Sequence, residues 1–281
     1  NKDVLNSRKS EKLGGLASST ATTEELYLMQ KMLREIGCEN IDYRLNVNDL
    51  DRPIHLDSNI KLNDLECVDN VLVIGANLRL EQPMINHRLR KAQLAGATIS
   101  ALNVKAFDYN HKTSHSTVSP NEIATTLAGV LKVILEKKSL ETPVYLAKFS
   151  PSELSINLAG KLLDSERSVI VVGEHVINNT QAASIAQLVT EIAKQVNGKT
   201  LNVSSSANTL GAQYAHFLPT SKGMNTNEML AADMSAFLLL DIYPEYDFHH
   251  SNSAVEALSK EDVFVVSLNS FQNELVAQYS D

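Results

Sequence analysis

The chain contains no tryptophan, and aromatic residues make up only 5% of its 281 positions. Aspartates and glutamates outnumber lysines and arginines by 33 to 25, for a net charge of −8. Nucleic-acid surfaces need clustered basic side chains, with aromatics between them where single strands are gripped. Neither pattern occurs, which argues against a nucleic-acid partner. There are two cysteines, Cys38 and Cys67, and they do not form a C-x-x-C pair. They suit a reducing compartment, and they supply neither a disulfide framework nor a zinc site. Two thiols also fall short of the about four ligands an iron–sulfur cluster requires. No apolar run approaches the roughly 20 residues that cross a bilayer, so direct membrane insertion is not expected. The amino end, Asn1-Lys2-Asp3, is polar, lacks methionine and does not read as a signal peptide. It is the start expected of a fragment or a processed piece.

What is present is an ordinary globular composition, 43% apolar and 21% charged. The length allows one large domain or two medium ones. The most informative stretch runs from Val71 to Pro83. Val71–Ile74 is a short apolar run of the kind that is buried on both faces of a parallel sheet. Gly75-Ala76-Asn77 breaks it, and an amphipathic helix with Pro83 in its first turn follows. In open α/β sheets ligands sit just beyond such a strand end.

The same alternation runs along the chain. Thr22 and Glu25 have capping-box spacing, and Leu26, Met29, Leu33 and Ile36 then fall on one helical face that ends at Gly37. Ahead of them, 14–19 reads as a flexible small-residue loop, and 46–70 as largely irregular. After Val71–Ile74 come a helix over 83–95 and a strand over 97–102, a βαβ unit whose crossover should be right-handed. Residues 105–119 read as irregular, and Ser119-Pro120-Asn121-Glu122 starts another helix. Residues 137–143 are the expected domain boundary. Beyond it come a helix start at 150–153, a strand over 168–172 ending in Gly173, a helix over 180–196, and a strand over 200–203. Strands over 237–240 and 263–266 follow, with a helix over 254–258 between them. The pattern predicts an α/β fold of two Rossmann-like lobes, 1–145 and 146–281, each a parallel sheet flanked by helices, the second truncated at its C-terminal end.

Five constellations invite a chemical reading. The loops at Gly75-Ala76-Asn77 and Gly173-Glu174-His175 could receive a nucleotide phosphate or ribose, or their glycines could simply permit the turn. Neither carries G-x-G-x-x-G, and Asn103 stands where an acid would hold an NAD ribose. The polar loop Ser204–Gly211 could bind a polar ligand, or Ser206 and Asn208 could cap the next helix while Gly211 allows close packing. The run Tyr243–His250 has two adjacent histidines among acids, but adjacent side chains on a loop should point apart, and solvated histidines are the favoured reading. Asp108, His111 and His115 with Ser114 and Ser116 carry the residue types of a hydrolase without a G-x-S-x-G elbow. Arg88, Arg90 and Lys91 mark a helix flank that is either solvated or a docking surface, and 46–70 is a second candidate surface.

The residues Ala21 to Lys31, with Gly37 and Asn40-Ile41-Asp42-Tyr43-Arg44, resemble the molybdopterin oxidoreductase superfamily, where a T-N-E helix precedes an N-x-D-x-R segment. Val71–Asn77 with Pro83 resembles its G-x-N loop. Ala207–Ala212 resembles its N-x-x-G-A segment, and Gly223–Leu230 followed by Asp241–Glu245 completes the order. Within the superfamily, Glu24–Met32 and Ala76–Pro83 are most similar to the 75-kDa-type G subunits of NADH–quinone oxidoreductase, respiratory complex I. The likeness runs from about Gly14 to the end.

The resemblance implies the architecture of the middle domains of formate dehydrogenase and DMSO reductase. It also implies partners among the other peripheral-arm subunits of complex I, and a cytoplasmic location peripheral to a bacterial inner membrane. Iron–sulfur clusters are expected in a part amino-terminal to this segment. The departures imply that no cofactor is held here. No Cys, selenocysteine or Ser metal ligand follows Arg44, Cys67 lies too near the strand at Val71, and Asn103 replaces the expected acid. Glu274–Asp281 resembles a family segment cut in mid-motif. The expectation is therefore a structural segment with no catalytic residue and no metal ligand. Gly75, Asn77, Gly173, Asn208 and Gly211 would mark a vestigial cofactor site, within a parent complex that is an oxidoreductase. The alternatives are a working domain that binds a molybdopterin guanine dinucleotide, and an autonomous nucleotide-binding module.

Overall fold

Runs of β-branched and leucine residues bounded by glycine or polar residues become the central strands, and amphipathic stretches between them become covering helices. In the computed structural model of the chain, described for residues 10–47, 49–50, 54, 56–203, 206–271 and 273–281, nine strands alternate with helices. In order they are β1 (Leu13–Ala17), α1 (Thr23–Glu35), β2 (Ile41–Asp42), β3 (Asn70–Ile74), α2 (Pro83–Leu94), β4 (Thr98–Asn103), β5 (Ser114–Thr117), α3 (Glu122–Lys137), α4 (Glu153–Leu163), β6 (Ser168–Val172), α5 (Ala182–Gln195), β7 (Lys199–Asn202), β8 (Ala236–Leu240), α6 (Ser251–Leu258) and β9 (Phe264–Leu268), with shorter helical turns between. Residues 1–9, Asn48, 51–53 and His55 of the polar stretch, and Ser204 and Ser205 of the polar loop, lie outside the described residues.

Every strand pairing is parallel. One sheet has the order β5-β4-β3-β6-β7, the other β2-β1-β8-β9. The α/β class and the helix-flanked parallel sheets expected from sequence are what the chain forms. The division at 137–143 is not. β3 pairs with β6 from Asn70 opposite Ser168 to Ile74 opposite Val172, so strands on either side of that point share one sheet. The chain divides instead into a unit of 51–205 and a unit that combines residues up to Leu50 with Ser206–Asp281. The reason is long-range pairing: β1 lies against β8 along its whole length, Leu13 opposite Ala236 to Ala17 opposite Leu240.

In the 51–205 unit, alternate strand residues face opposite layers. Val71 and Val73 pack with Ile85 and Leu89 of α2, and Leu72 and Ile74 pack with α3, α4 and α5. In the other unit, α1 covers Leu13, Ala236 and Leu238 on one face, and α6 lies with Phe237, Leu239 and Val265 on the other.

Three local expectations are corrected. Residues 14–19 do not form a flexible loop, because Leu13–Ala17 is a buried inner strand. A Cβ at Gly14 would lie 2.9 Å from the Phe237 ring, and one at Gly15 only 2.2 Å from Leu33 Cδ1, so the glycines admit close packing. Residues 105–119 are not wholly irregular, since Ser114–Thr117 adds a polar edge strand to β4. Ile36 does not continue the buried stripe of α1, which ends at Glu35; it is 39% exposed.

Candidate functional site

The strand order β5-β4-β3-β6-β7 reverses direction between β3 and β6, and a ligand crevice belongs just beyond the carboxyl ends of those two strands. Gly75 and Gly173 meet there. Gly75 adopts a left-handed backbone (φ +62), and its carbonyl accepts the His175 N–H at 3.0 Å. The Gly173 N–H reaches the Ile74 carbonyl at 2.9 Å. A Cβ on Gly173 would lie 2.3 Å from the Ala76 Cβ, so the two loops are packed directly on each other.

The two backbone donors that follow Gly75 are used within the chain. Ala76 N–H donates to Asn103 Oδ1 at 3.0 Å, and Asn77 N–H to Glu81 Oε1 at 2.9 Å. Asn103 Nδ2 donates to the Tyr109 hydroxyl at 2.8 Å, and that hydroxyl donates to the Ala76 carbonyl. Asn103 and Tyr109 are both buried. Burial pushes the Tyr109 hydroxyl up to about 12, so it stays a donor. Its ring stacks with His111 and His115 at centroid separations of 5.7 and 5.6 Å, while Phe107 stacks on His175 at 5.6 Å. The segment after β4 therefore fills the crevice with its own side chains, and Glu81 brings a carboxylate to the amide an anion would need. The sequence registers Asn103 only as a departure from an acid; nothing marks Tyr109, which lies in a polar stretch.

Asn208 and Gly211 belong to the other unit. Asn208 Nδ2 donates to the Ala21 carbonyl at 2.7 Å, and its backbone N–H to the Ser19 carbonyl at 2.9 Å. It occupies the N-cap position of the helix Thr209–Tyr214, but its side chain does not cap that helix, contrary to one reading of the loop. The side chain clamps the β1–α1 connection instead. A Cβ on Gly211 would lie 2.1 Å from Asn208 Oδ1 and 2.3 Å from Thr23 Oγ1. The N-terminus of α1 is closed by its capping box, Thr22 N–H donating to Glu25 at 2.9 Å, and these bonds from Thr22 hold the Glu25 carboxyl below its usual range.

The other motifs are joints. Asn40 Oδ1 accepts the Met224 N–H at 2.9 Å, Asp42 Oδ2 accepts the Thr226 N–H at 3.1 Å, and a Cβ on Gly223 would meet the Glu39 carbonyl oxygen at 2.0 Å. Arg44 chelates Asp42 through Nε (2.9 Å) and Nη2 (3.0 Å), with both side chains buried. The segment 40–44 thus locks onto 223–226.

The hydrolase constellation dissolves. Asp108 pairs with Arg79, and the His111 ring nitrogens face Asn86 Oδ1 (3.2 Å) and the Thr113 hydroxyl (3.0 Å). His249 and His250 are exposed, as expected. Their rings do not point apart, however: they meet edge to face at 4.7 Å, because the turn entering α6 brings them together. Arg88 and Lys91 both pair with Glu66, which neutralises part of the flank offered as a docking surface. Cys38 is buried, its thiol donating to the Leu13 carbonyl at 3.0 Å, and burial pushes it up to about 11. Cys67 is exposed. Among the described residues no three His, Cys, Asp or Glu side chains converge to hold a metal ion, and no helix is long and apolar enough to cross a membrane.

A family model described as molybdopterin oxidoreductase matches residues 2–281. The NADH-ubiquinone oxidoreductase 75 kDa subunit of Reclinomonas americana is 25% identical over 75% of this chain and 30% of its own length. The G subunit of the NADH-quinone oxidoreductase of Rickettsia bellii is 26% identical over 69% of this chain and 25% of its own. The chain spans under a third of the length of these relatives. A solved chain from the formyltransferase/hydrolase complex of Methylorubrum extorquens, in complex with methylofuran, has the same fold, with a TM-score of 0.61 over the whole of this chain and 82% of that one at 12% identity.

Proposed function

Because the chain belongs to the molybdopterin oxidoreductase family, we propose that it is a structural segment of a 75-kDa-type G subunit of NADH–quinone oxidoreductase, which keeps the family's framework without holding its pterin cofactor. The observation that carries this reading is the closure of the β3–β6 crevice. Ala76 and Asn77 spend their amide N–H groups on Asn103 and Glu81, and the Tyr109 hydroxyl holds the carbonyl of Ala76. A dinucleotide pyrophosphate placed there would have to displace a buried network and accept the Glu81 carboxylate as a neighbour, so these residues do not fit the group.

The donor set fits no better. The Cys38 thiol is buried and donates to the Leu13 carbonyl at 3.0 Å, so it is packed into the sheet and not offered to a metal. In the parent subunit, electron transfer from NADH toward quinone would run through iron–sulfur clusters held by other residues, and this segment would position them and dock against other peripheral-arm subunits. The parent complex would be the enzyme, cytoplasmic and peripheral to the membrane, and this segment would carry no catalytic centre.

Metal analysis and ligand-induced stabilisation of the purified chain test the reading together. The expected result is no molybdenum or tungsten, and no shift in unfolding with GTP, GDP, NADH or NADPH. A ligand at 100 times its dissociation constant would add about 2.7 kcal/mol. Stoichiometric molybdenum or tungsten would restore the working cofactor domain, and a shift of that size with a dinucleotide or guanine nucleotide would restore the nucleotide module.

A further inference from the structure

The carboxyl edge of the four-stranded sheet keeps an open groove of about 740 Å3 between α1 and β9. Its origin is an unfinished layer. Phe264, Val266 and Leu268 of β9 lie on the same face as Leu238 and Leu240 of β8, because alternate strand residues share a face. On the opposite face, Val263 and Val265 are buried in the cluster that includes α6. On the α1 face, Phe264 and Val266 are only partly buried and Leu268 is 52% exposed. Across the groove, α1 presents Leu28 and Met32, one turn apart and 63% and 46% exposed. A sheet buries its apolar face against a second layer, and the gap beside α1 is where a further helix would pack, at about 8–10 Å from its neighbour.

The groove also carries a charge. Glu25 and Asp241 line it, and no lysine, arginine or histidine does among the described residues. Asp241 is held in place: its backbone is left-handed (φ 51), its N–H donates to the Leu268 carbonyl at 2.8 Å, and its Oδ2 accepts the Thr20 hydroxyl at 3.1 Å. An apolar floor with carboxylates at its polar end selects a helix that has an apolar stripe and lysine or arginine beside it. A second copy of the chain, with its net charge of −8, is a poor match on charge.

We propose that this groove receives an amphipathic, basic helix of a partner polypeptide, seated beside α1 on Leu240 and Leu268. Its occupancy is independent of whether the other unit holds a cofactor.

Fluorescence anisotropy with the full chain and two labelled synthetic helices tests it, one built of leucine and lysine, the other its leucine and glutamate counterpart. The leucine/lysine peptide should bind saturably and the glutamate peptide should not. The double substitution Leu28→Asp with Met32→Asp makes the chain more acidic, so attraction by bulk charge would strengthen binding, whereas loss of the groove should weaken it by at least about tenfold. Both side chains are exposed, and circular dichroism checks that the fold is kept. Hydrogen exchange supplies a second reading: the peptide should slow amides of Phe264–Leu268. Equal or tighter binding by the double variant, or protection confined to other strands, would overturn the proposal. So would a dimer in sedimentation that the double substitution abolishes, because the occupant would then be a second copy.

Discussion

Asn103 turns its side-chain oxygen onto the backbone N–H of Ala76, 3.0 Å away, across the carboxyl edge of the five-stranded sheet. Its amide nitrogen reaches the Tyr109 hydroxyl at 2.8 Å, and that hydroxyl returns to the Ala76 carbonyl. Both polar groups of one residue at the crevice are thereby closed in a ring of hydrogen bonds shut off from water. Removing a member leaves a buried donor or acceptor without a partner, which costs about 1–3 kcal/mol. Asn103→Ala and Tyr109→Phe should each lower stability by that order in urea unfolding. Because the two share one ring, the double variant should lose less than the sum, with a coupling of about 0.5–3 kcal/mol. Strict additivity would mean the ring does not act as a unit.

The glycine after β6 makes the same point by shape. Gly173→Ala places a methyl 2.3 Å from the Ala76 Cβ and 2.5 Å from the Gly75 carbonyl oxygen, so backbone must move, at a cost of about 1–3 kcal/mol or more. Gly160, inside α4, has nothing within 4 Å of where a Cβ would sit. Gly160→Ala should therefore stabilise by about 0.4–1 kcal/mol. Thermal unfolding of the pair decides: equal shifts would show that the Gly75–Gly173 approach is not tight.

How much of this can be read from sequence depends on how local the cause is. β3 and β6 are legible because a buried parallel strand is an unbroken apolar run, and Gly75 and Gly173 end those runs. β1 is not, because its Gly14-Gly15 pair has the composition of a loop and is explained by packing against Phe237, far along the chain, and Leu33 of the following helix. β5 escapes because Ser-His-Ser-Thr is the polar face of an edge strand. The division into units does not fall at 137–143 because β1 with β8 and β3 with β6 are pairings between distant segments, invisible to any window on the chain. The candidate site follows the same division: its glycines are visible from strand ends, whereas the closing residue, Tyr109, carries no local signal.

The segment 40–44 owes its residue types to burial. Asp42 and Arg44 are a buried bidentate pair, and Asp42 also accepts the Thr226 N–H. Breaking such a pair from one side strands a buried charge, at about 3–5 kcal/mol. Asp42→Ala should approach that loss in denaturant unfolding, and Arg44→Lys should recover little of the native stability because an ammonium cannot chelate both carboxylate oxygens. An Arg44→Lys protein as stable as wild type would refute the bidentate reading.

The two thiols should separate cleanly. The buried Cys38 sulfur, pushed up to about 11, has almost no thiolate near neutral pH, while Cys67 is exposed. Titration of the native chain with a thiol reagent at pH 8 should consume one equivalent, and denaturation should release a second. Two fast equivalents in the native protein would contradict the burial of Cys38.

His111 sets a pH dependence whose sign can be worked out. Burial is the largest influence on its imidazole and lowers its pKa in the folded chain. The charges of His115 and Arg90 act in the same direction, and Asp108 and a backbone hydrogen bond at Lys112 act against it. Its ring nitrogens already face Asn86 and Thr113. With the folded pKa below the unfolded value of 6.5, the unfolded chain binds more protons between the two, so stability rises with pH across that window. The contribution is complete above 6.5 and is lost as the pH falls through the folded pKa. The carboxyl of Glu25 and that of Glu122 are held low by bonds from Thr22 and Ser119, so their contributions fade only at more acid pH, below the usual carboxylate value of 4.5. Asp247, whose carboxyl is raised above its usual range by burial, acts in the opposite direction as the pH falls, so a comparison of two proteins isolates His111. From pH 7.5 down to about pH 5 the urea midpoint of the wild type should lose ground relative to that of His111→Gln, which keeps a hydrogen-bonding side chain without the titration. Identical slopes for the two proteins would show that His111 is not the group that loses its place when it gains a proton.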